Sequence, residues 1–274
     1  MKHIEGSRID ALFARRKAEG KKVLVAYLCI GDPSVEESLE IARAAIAAGA
    51  DAIELGVPFS DPSADGPAIA RASQRAIAAG GGFEATLRVA HALRRESSVP
   101  LILFGYYNPI FVRSEARAVA EAADAGIDAL LVVDLPVDEG GSLRDQAAKR
   151  GVAVVPLLAP TSIGDRIARV KAAAEQWPLG FVYYVSVTGV TGTLALEATQ
   201  ATSQAAVLRK ALGLPVVIGF GIDSREKARA AAADVDGVVV GTALVRQIED
   251  GKSRAERILG VTRLVTQLRE GLDA

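Results

Sequence analysis

The residues with the clearest chemical potential are carboxylates in and just after one short aliphatic run. In residues 52–57 (AIELGV), Glu54 alternates with large aliphatic side chains, so an extended strand would place its carboxyl on the opposite face. Burying an unpaired carboxylate is unfavourable and raises its pKa, and the resulting neutral acid is what a catalytic proton donor needs. The pattern therefore makes Glu54 the first candidate for acid/base catalysis.

Two further carboxylates follow in the loop over residues 58–66. Asp61 precedes a proline and Asp65 precedes a glycine, and both dipeptides are ordinary turn formers. For Asp61 we favour a turn or interface role, and for Asp65 we favour catalysis. Asp134, at the end of a later strand candidate, fits a supporting group near the site and a helix cap equally well. Carboxylates in different environments can divide acid and base roles between them.

Glycine-rich loops after two neighbouring strand candidates predict a phosphate site. Gly219-Phe-Gly-Ile and Gly241-Thr-Ala-Leu each follow a strand and open a helix, where free N–H groups and the helix dipole attract an anion. A third loop, over residues 186–192 (SVTGVTG), could close over the same ligand. The simpler alternative is that these glycines only form tight turns between strand and helix. Two such loops after the last two strands favour phosphate, because that is its common position on a barrel.

The elements that must position these residues repeat one pattern: an aliphatic run, a polar loop and an alanine-rich amphipathic stretch. The runs are continuously hydrophobic, which is typical of parallel strands buried on both faces. The predicted strands are 23–30, 52–57, 100–105, 129–134, 152–157, 181–186, 214–219 and 236–240. The predicted helices are 35–48, 67–79, 84–96, 114–125, 138–150, 162–176, 203–212, 224–233 and 242–257.

Eight strand–helix units in 274 residues favour an α/β protein with a single (βα)8 TIM barrel over an open sheet. An extra N-terminal helix over residues 4–17 is expected to cover the lower end of the barrel. Three similar segments, beginning at Ala48, Ala125 and Ala233, run from helix end through a turn and an aspartate into a strand, and we interpret them as structural turns. No linker divides the chain, so we predict one domain over residues 1–274.

Composition excludes several functional classes. The 32 basic residues nearly balance the 33 acidic ones, so no electrostatic footprint for nucleic acid or an anionic membrane is present. The single cysteine, Cys29, excludes an internal disulfide, and no Cys/His spacing suits a metal. His3 and His91 lie in a terminal segment and a predicted surface helix, which argues against histidine catalysis. The first residues lack the apolar core of a signal peptide, and a cytoplasmic protein is expected.

The chain closely resembles the tryptophan synthase alpha family over nearly its whole length. The motifs that carry the resemblance are, in order, ELGVPFSDPSADGP, VTGVTG, GFGI and VVVGTA. The first motif is highly specific, whereas the glycine loops alone would fit many phosphate-binding barrels. The resemblance implies a (βα)8 barrel that cleaves indole-3-glycerol phosphate to indole and glyceraldehyde 3-phosphate. It implies no cofactor or metal in this chain, and a pyridoxal-phosphate-dependent beta subunit as partner in an α2β2 tetramer.

The resemblance also implies a role for each matching residue. The acid/base glutamate corresponds to Glu54, and the aspartate that anchors the indole N–H corresponds to Asp65. Thr191 corresponds to the loop threonine that contacts this aspartate when the site closes. The phosphate grip is implied at Gly192, Gly221, Gly241 and Thr242, with Gly219 and Phe220 beside it. The walls of the indole pocket are implied at Tyr27, Tyr106, Leu131, Tyr183 and Phe220.

Three departures from the family pattern leave alternatives open. Cys29 stands where threonine is common, Thr242 where serine is common, and Ser63 where the loop facing the beta subunit usually carries an aliphatic residue. Thr242 keeps the hydroxyl. Ser63 motivates one alternative, a stand-alone lyase that releases free indole. Cys29, which gives up a hydrogen-bond donor, motivates another, a weakly active subunit that mainly activates its beta partner.

Overall fold

The computed structural model describes residues 2–160, 165–185, 194–219 and 221–274, with the backbone alone over 194–201. Within these residues the strands are all parallel and lie side by side in the order β5-β4-β3-β2-β1-β9-β8-β7-β6. The strands are β1 Val23–Cys29, β2 Ala52–Gly56, β3 Leu101–Gly105, β4 Ala129–Val132, β5 Ala153–Val154, β6 Leu157–Leu158, β7 Val182–Val185, β8 Val216–Gly219 and β9 Gly237–Val240.

The first and last strands in this order, β5 and β6, are consecutive in the chain, and the segment that contains them closes the barrel. The fifth predicted strand is interrupted between β5 and β6, where Pro156 has no N–H to donate to a ladder. On one side, the Val155 N–H donates to the Leu130 carbonyl at 2.9 Å. On the other, the Tyr183 N–H donates to the Pro156 carbonyl at 3.0 Å. The α/β TIM barrel predicted from the sequence is therefore confirmed.

Helices surround the strands, and most match the predicted stretches. They are α1 Arg8–Ala18, α2 Val35–Ala47, α3 Pro67–Ala78, α4 Phe83–Glu96, α5 Tyr107–Arg113, α6 Glu115–Asp124, α7 Gly141–Lys149, α8 Asp165–Gln176, α9 Leu194–Leu212, α10 Arg225–Ala232, α11 Thr242–Asp250 and α12 Arg254–Asp273. None of the helices in the described ranges is both long and apolar enough to cross a membrane.

Three helix assignments from the sequence were wrong. The helix predicted over 203–212 begins earlier, at Leu194. The single helix predicted over 242–257 ends at Asp250, and a new helix begins after Ser253, whose hydroxyl accepts from the Glu256 N–H at 3.3 Å. The third error is α5, which the sequence pattern did not predict. Its proline, Pro109, lies in the first turn, where a missing N–H costs no intrahelical hydrogen bond.

The strands present alternate residues to the barrel interior and to the helices. Val23, Val25 and Val239 belong to an interior cluster that excludes their strand neighbours, which pack against the outer helices instead. The predicted N-terminal helix is confirmed as α1, and it contributes Ile9, Leu12 and Phe13 to this interior cluster. The Phe13 and Phe181 rings lie 5.6 Å apart. The lower end of the barrel is thus filled by apolar side chains, and the interior positions nearer the strands' C-terminal ends remain for chemistry.

The three aspartates of the repeated turns join neighbouring strands at the lower end. Asp51, Asp128 and Asp236 each accept one N–H at the start of the strand beside their own. The donors are Leu24, the second residue of β1, at 2.9 Å, Leu101 at 2.8 Å and Val216 at 2.9 Å respectively. Each aspartate also pairs with at least one arginine. The interpretation of these segments as structural turns is confirmed.

Replacing Asp128 by alanine is expected to reduce the free energy of unfolding by about 3–5 kcal/mol, because it leaves the guanidinium of Arg94, only 15% exposed, without its carboxylate. Urea unfolding followed by circular dichroism measures the change. Asp124→Ala is the control, since Asp124 pairs with Arg150 on the surface and its loss should cost no more than about 1 kcal/mol. Equal losses in the two variants would contradict a structural role for the Asp128 turn.

Candidate active site

Glu54 lies in the middle of β2 with its side chain inside the barrel. It is 1% exposed, and neither carboxylate oxygen has a hydrogen-bond partner in the described part of the chain. Burial raises the pKa of Glu54 to about 8, so the group is neutral at pH 7. The alternative of a structural carboxylate paired with a buried lysine finds no support among the described residues. A neutral carboxyl with free oxygens is suited to donate a proton to a bound molecule.

Tyrosines surround Glu54 on neighbouring strands. Tyr27 is the partner of Glu54 in the β1–β2 register, and its ring meets the Phe104 ring edge-on at 5.0 Å. Tyr183 lies on β7, across the interior. Burial raises the pKa values of Tyr27 and Tyr183 well above the ordinary value, and the charges of Glu54 and Asp65 raise both further. Both phenols therefore stay protonated and provide polar tips on an otherwise aromatic wall.

Asp65 lies in the loop between β2 and α3, and its surroundings differ from those expected. A turn-forming Asp–Gly dipeptide is commonly solvated, but here the carboxyl is half-buried, and this raises its pKa to about 6. The Tyr106 hydroxyl, which hydrogen-bonds to Asp65, opposes the rise. The same hydroxyl accepts the Ala64 N–H at 3.0 Å, and the Tyr106 ring stacks on Phe59 at 5.0 Å. Asp65 is thus held by Tyr106 and is mostly ionised at pH 7.

The two carboxyls differ in protonation at neutral pH. Glu54, with a pKa of about 8, carries a proton, whereas Asp65, with a pKa of about 6, is mostly negative. Such a pair can supply a proton at one point of a ligand and stabilise positive charge at another.

The pKa of Glu54 also predicts how stability depends on pH. Between about 4.5, its value in an unfolded chain, and about 8, the unfolded state releases a proton that the folded state keeps. The contribution of Glu54 to stability therefore falls as pH rises through this window and is constant outside it. Glutamine does not titrate, so it lacks this loss. We therefore expect the unfolding free energy of Glu54→Gln, relative to that of the natural protein, to rise by a few kcal/mol between pH 5 and pH 8. Urea unfolding at several pH values measures this, and parallel curves for the two proteins would contradict the raised pKa.

Two of the glycines make room for tyrosine side chains. A Cβ on Gly56 would lie 2.6 Å from the Tyr27 hydroxyl, and a Cβ on Gly219 would collide with the Tyr183 hydroxyl. Neither position tolerates a side chain without displacing a ring. The sequence assigned Gly219 only to a phosphate loop, so this packing role is an addition.

Three other predicted phosphate residues, Gly221, Gly241 and Thr242, lie just after the ends of β8 and β9. Gly221 has a φ of +45°, which favours glycine. Gly241 is the N-cap of α11, where no side chain of the described residues caps the helix, and Thr242 is exposed at its first position. The N–H groups of the first turn of α11 are therefore available to an anion. Leu131 is fully buried in the interior cluster, while Thr191, Gly192 and Phe220 fall outside the described residues.

The structure also places the residues whose roles were left open. Asp134 accepts the N–H of Tyr107 at 2.7 Å, at the start of α5, so it acts as a helix cap. The Asp61 carboxylate accepts from the hydroxyl of the neighbouring Ser60, and the Asp61 carbonyl accepts the Ser63 N–H at 2.8 Å, which agrees with a turn. Cys29 is buried with its sulfur 3.9 Å from the Ser73 hydroxyl, and burial raises its pKa to about 12. Phe104, which the sequence analysis missed, lines the interior beside Tyr27, and the alternation of β3 could have identified it.

Nearly the whole chain matches known proteins. Residues 13–272 match the model of a family described as tryptophan synthase alpha chain. The tryptophan synthase alpha chain of Geotalea daltonii is 45% identical over 267 residues, which cover 97% of this chain and 99% of the relative. That of Xanthomonas axonopodis pv. citri is 43% identical over 271 residues, covering 97% and 98%. The crystal structure of tryptophan synthase subunit alpha from Legionella pneumophila matches with a TM-score of 0.89 at 33% identity, covering 97% of this chain and 98% of that one.

Proposed function

The chain belongs to the tryptophan synthase alpha chain family, which cleaves indole-3-glycerol phosphate, and we propose that Glu54 and Asp65 carry out this cleavage. The observation that carries the proposal is the Glu54 carboxyl, which is buried, neutral at pH 7 and without a partner in the described part of the barrel. A buried, protonated carboxyl with free oxygens can act as a general acid toward a bound substrate.

The first step is protonation of indole C3. Glu54 gives its proton to this carbon, and the positive charge that results is shared with the indole nitrogen. The ionised carboxylate of Asp65 accepts the indole N–H and stabilises that charge. The Tyr106 hydroxyl holds Asp65 in place, and the rings of Tyr27 and Tyr183 form walls of the indole pocket. The protonated ring is then an electron sink for the bond that must break.

The second step breaks the bond between indole C3 and the glycerol carbon. Glu54, now a carboxylate, takes the proton of the hydroxyl on that carbon, and a carbonyl forms there as the bonding pair returns to the indole. Indole and glyceraldehyde 3-phosphate result, and Glu54 regains the proton that it gave. The cycle needs no group beyond these two carboxyls, so we include no metal or cofactor in this chain.

The phosphate is proposed to bind where β8 and β9 end. Gly221, Gly241 and Thr242 lie there, and the uncapped first turn of α11 directs N–H groups outward. Gly192, in the loop after β7, is proposed to complete the grip, with Gly219 and Phe220 beside it. Thr191 is proposed to contact Asp65 when that loop closes over the substrate.

Membership of the family implies a beta-subunit partner. We propose that the partner is a pyridoxal-phosphate enzyme in an α2β2 tetramer, that indole passes to it directly, and that the complex is cytoplasmic. Ser63 is exposed on the loop between β2 and α3, where an aliphatic residue would give a drier contact.

Indole release from indole-3-glycerol phosphate, measured with and without a beta subunit, tests the proposal. Slow release by the chain alone and fast release by the complex are expected. Fast release by the chain alone would indicate the stand-alone lyase that Ser63 motivates. Slow release under both conditions, with the beta subunit activated, would indicate the weakly active subunit that Cys29 motivates. No release under either condition would contradict the proposed function.

A further inference from the structure

Four charged side chains join the loop after β1 to helices α3 and α11. Arg75 on α3 binds Asp32 in that loop through two N–H···O bonds of 2.8 Å, and it also donates to Glu249 on α11 at 2.8 Å. Arg71, one turn earlier on α3, binds both oxygens of Glu249 at 2.7 and 2.8 Å. We call Asp32, Arg71, Arg75 and Glu249 the α3–α11 clasp. Glu249 is the residue on which both arginines converge.

Below the clasp the two helices approach closely. Ala68, Ala72 and Ala76 on α3 are buried in one cluster with Val245 on α11 and with Tyr27. Alanine side chains allow the helix backbones to lie near each other, and because they are short they resist sliding along the helix axes less than larger side chains would. The bidentate contact between Arg71 and Glu249 fixes the axial position, because such a pair has a defined geometry, and the single bond from Arg75 adds to it.

Each helix begins at a different part of the proposed site. Asp65 lies two residues before Pro67, the first residue of α3, and Thr242 is the first residue of α11. The clasp lies about one turn into α3 at Arg71 and about two turns into α11 at Glu249. Any axial movement of α3 against α11 therefore changes the separation between the Asp65 carboxylate and the first turn of α11.

We propose that the clasp is a positioning device that sets the Asp65 carboxylate at the correct distance from the phosphate-binding end of α11. The inference rests on the proposed function, because it assigns the indole end of the substrate to Asp65 and the phosphate end to α11. Glu249 is a positioning residue and touches no reacting atom. Because hydrogen bonds from Arg71 and Arg75 lower the pKa of Glu249 to about 2, the clasp keeps its charge throughout the working pH range.

A double-mutant cycle between Glu249→Gln and Asp65→Asn tests the proposal. In the natural background, Glu249→Gln is expected to lower kcat for indole release about tenfold and to change KM less than twofold. In the Asp65→Asn background, the same change is expected to lower kcat less than twofold, because the group that it positions is already removed. A tenfold loss in both backgrounds, or a change in KM alone, would overturn the proposal.

The matched control is Glu96→Gln. Glu96 on α4 accepts two hydrogen bonds from Arg43 on α2, one from Nε at 2.8 Å and one from Nη2 at 2.5 Å. These two helices carry no proposed site residue. Loss of this pair is expected to leave kcat and KM unchanged. A tenfold fall in kcat from this variant would mean that any surface Arg–Glu pair has the same effect, and the clasp would have no special role.

Hydrogen exchange provides a readout that does not depend on activity. The Ala64 N–H donates to the Tyr106 hydroxyl and the Asp65 N–H to the Pro62 carbonyl at 3.1 Å, so both amides report on the loop that carries Asp65. Glu249→Gln is expected to speed their exchange at least fivefold, and Glu96→Gln is expected not to. Unchanged exchange would overturn the positioning role. If the natural protein released no indole, the proposed function would fail, while this exchange would still decide the clasp.

Discussion

Replacing Glu54 by glutamine is expected to lower kcat for cleavage of indole-3-glycerol phosphate by about 10³-fold or more. General acid catalysis alone contributes about 10²–10⁴-fold, and here one group both gives and takes a proton. Glutamine has nearly the shape of the neutral carboxyl, and the site has no partner for Glu54 among the described residues that the change would leave unpaired. A substrate analogue should therefore bind within a few-fold of its affinity for the natural protein.

Rapid-quench assays of indole formation and calorimetric titration with an unreactive analogue separate these two effects. Thermal unfolding at pH 6 is the control for folding, and we expect the midpoint of Glu54→Gln to be no lower than that of the natural protein. A fall in analogue binding that matches the fall in kcat would identify Glu54 as a structural residue and would make the proposed mechanism wrong.

Replacing Asp65 by asparagine is expected to lower kcat about 10²–10³-fold, because the amide keeps the shape but cannot offset positive charge on the indole nitrogen. The pH dependence gives a second expected result. In the natural protein, kcat/KM should fall below about pH 6 as Asp65 gains a proton and above about pH 8 as Glu54 loses one. Asp65→Asn should abolish the acidic limb and leave the alkaline limb in place.

Asp61→Asn is the control for this second prediction, because Asp61 lies in the same loop and its carboxylate accepts from the neighbouring Ser60. Its kcat should change less than about threefold. An acidic limb that persists in Asp65→Asn would show that another group titrates near pH 6, and Asp65 would then have no electrostatic role in the reaction.

The barrel and the position of Glu54 were predictable because both depend on local patterns. Period-two alternation puts Glu54 on the face of its strand opposite the large aliphatic side chains, and the eight repeated strand–helix units indicate a barrel around that face. The aspartate turns were predictable for the same reason, since each repeats helix end, turn and strand within a few residues. The β5–β6 break follows from Pro156, whose missing N–H the sequence shows directly.

Other features depend on groups far apart in the chain. The half-buried state of Asp65 results from Tyr106, 41 positions later, whose hydroxyl binds the loop. The arginines that meet Glu249 lie more than 170 positions before it, and a charge pattern in the sequence does not show which pairs will meet. The separate helix α12 could have been predicted, because Ser253 and Glu256 have the spacing of a helix start. The sequence analysis overlooked this signal.

The close fit between Gly219 and the Tyr183 hydroxyl affects how genetic data on this protein should be interpreted. A substitution such as Gly219→Ala would displace an interior ring, so its harm would arise in the indole pocket even though the residue adjoins the proposed phosphate loop. Loss of function at this glycine would therefore not identify a phosphate contact. Substitutions at positions 219 and 183 should be interdependent: a smaller residue at 183 should permit changes at 219 that are damaging alone.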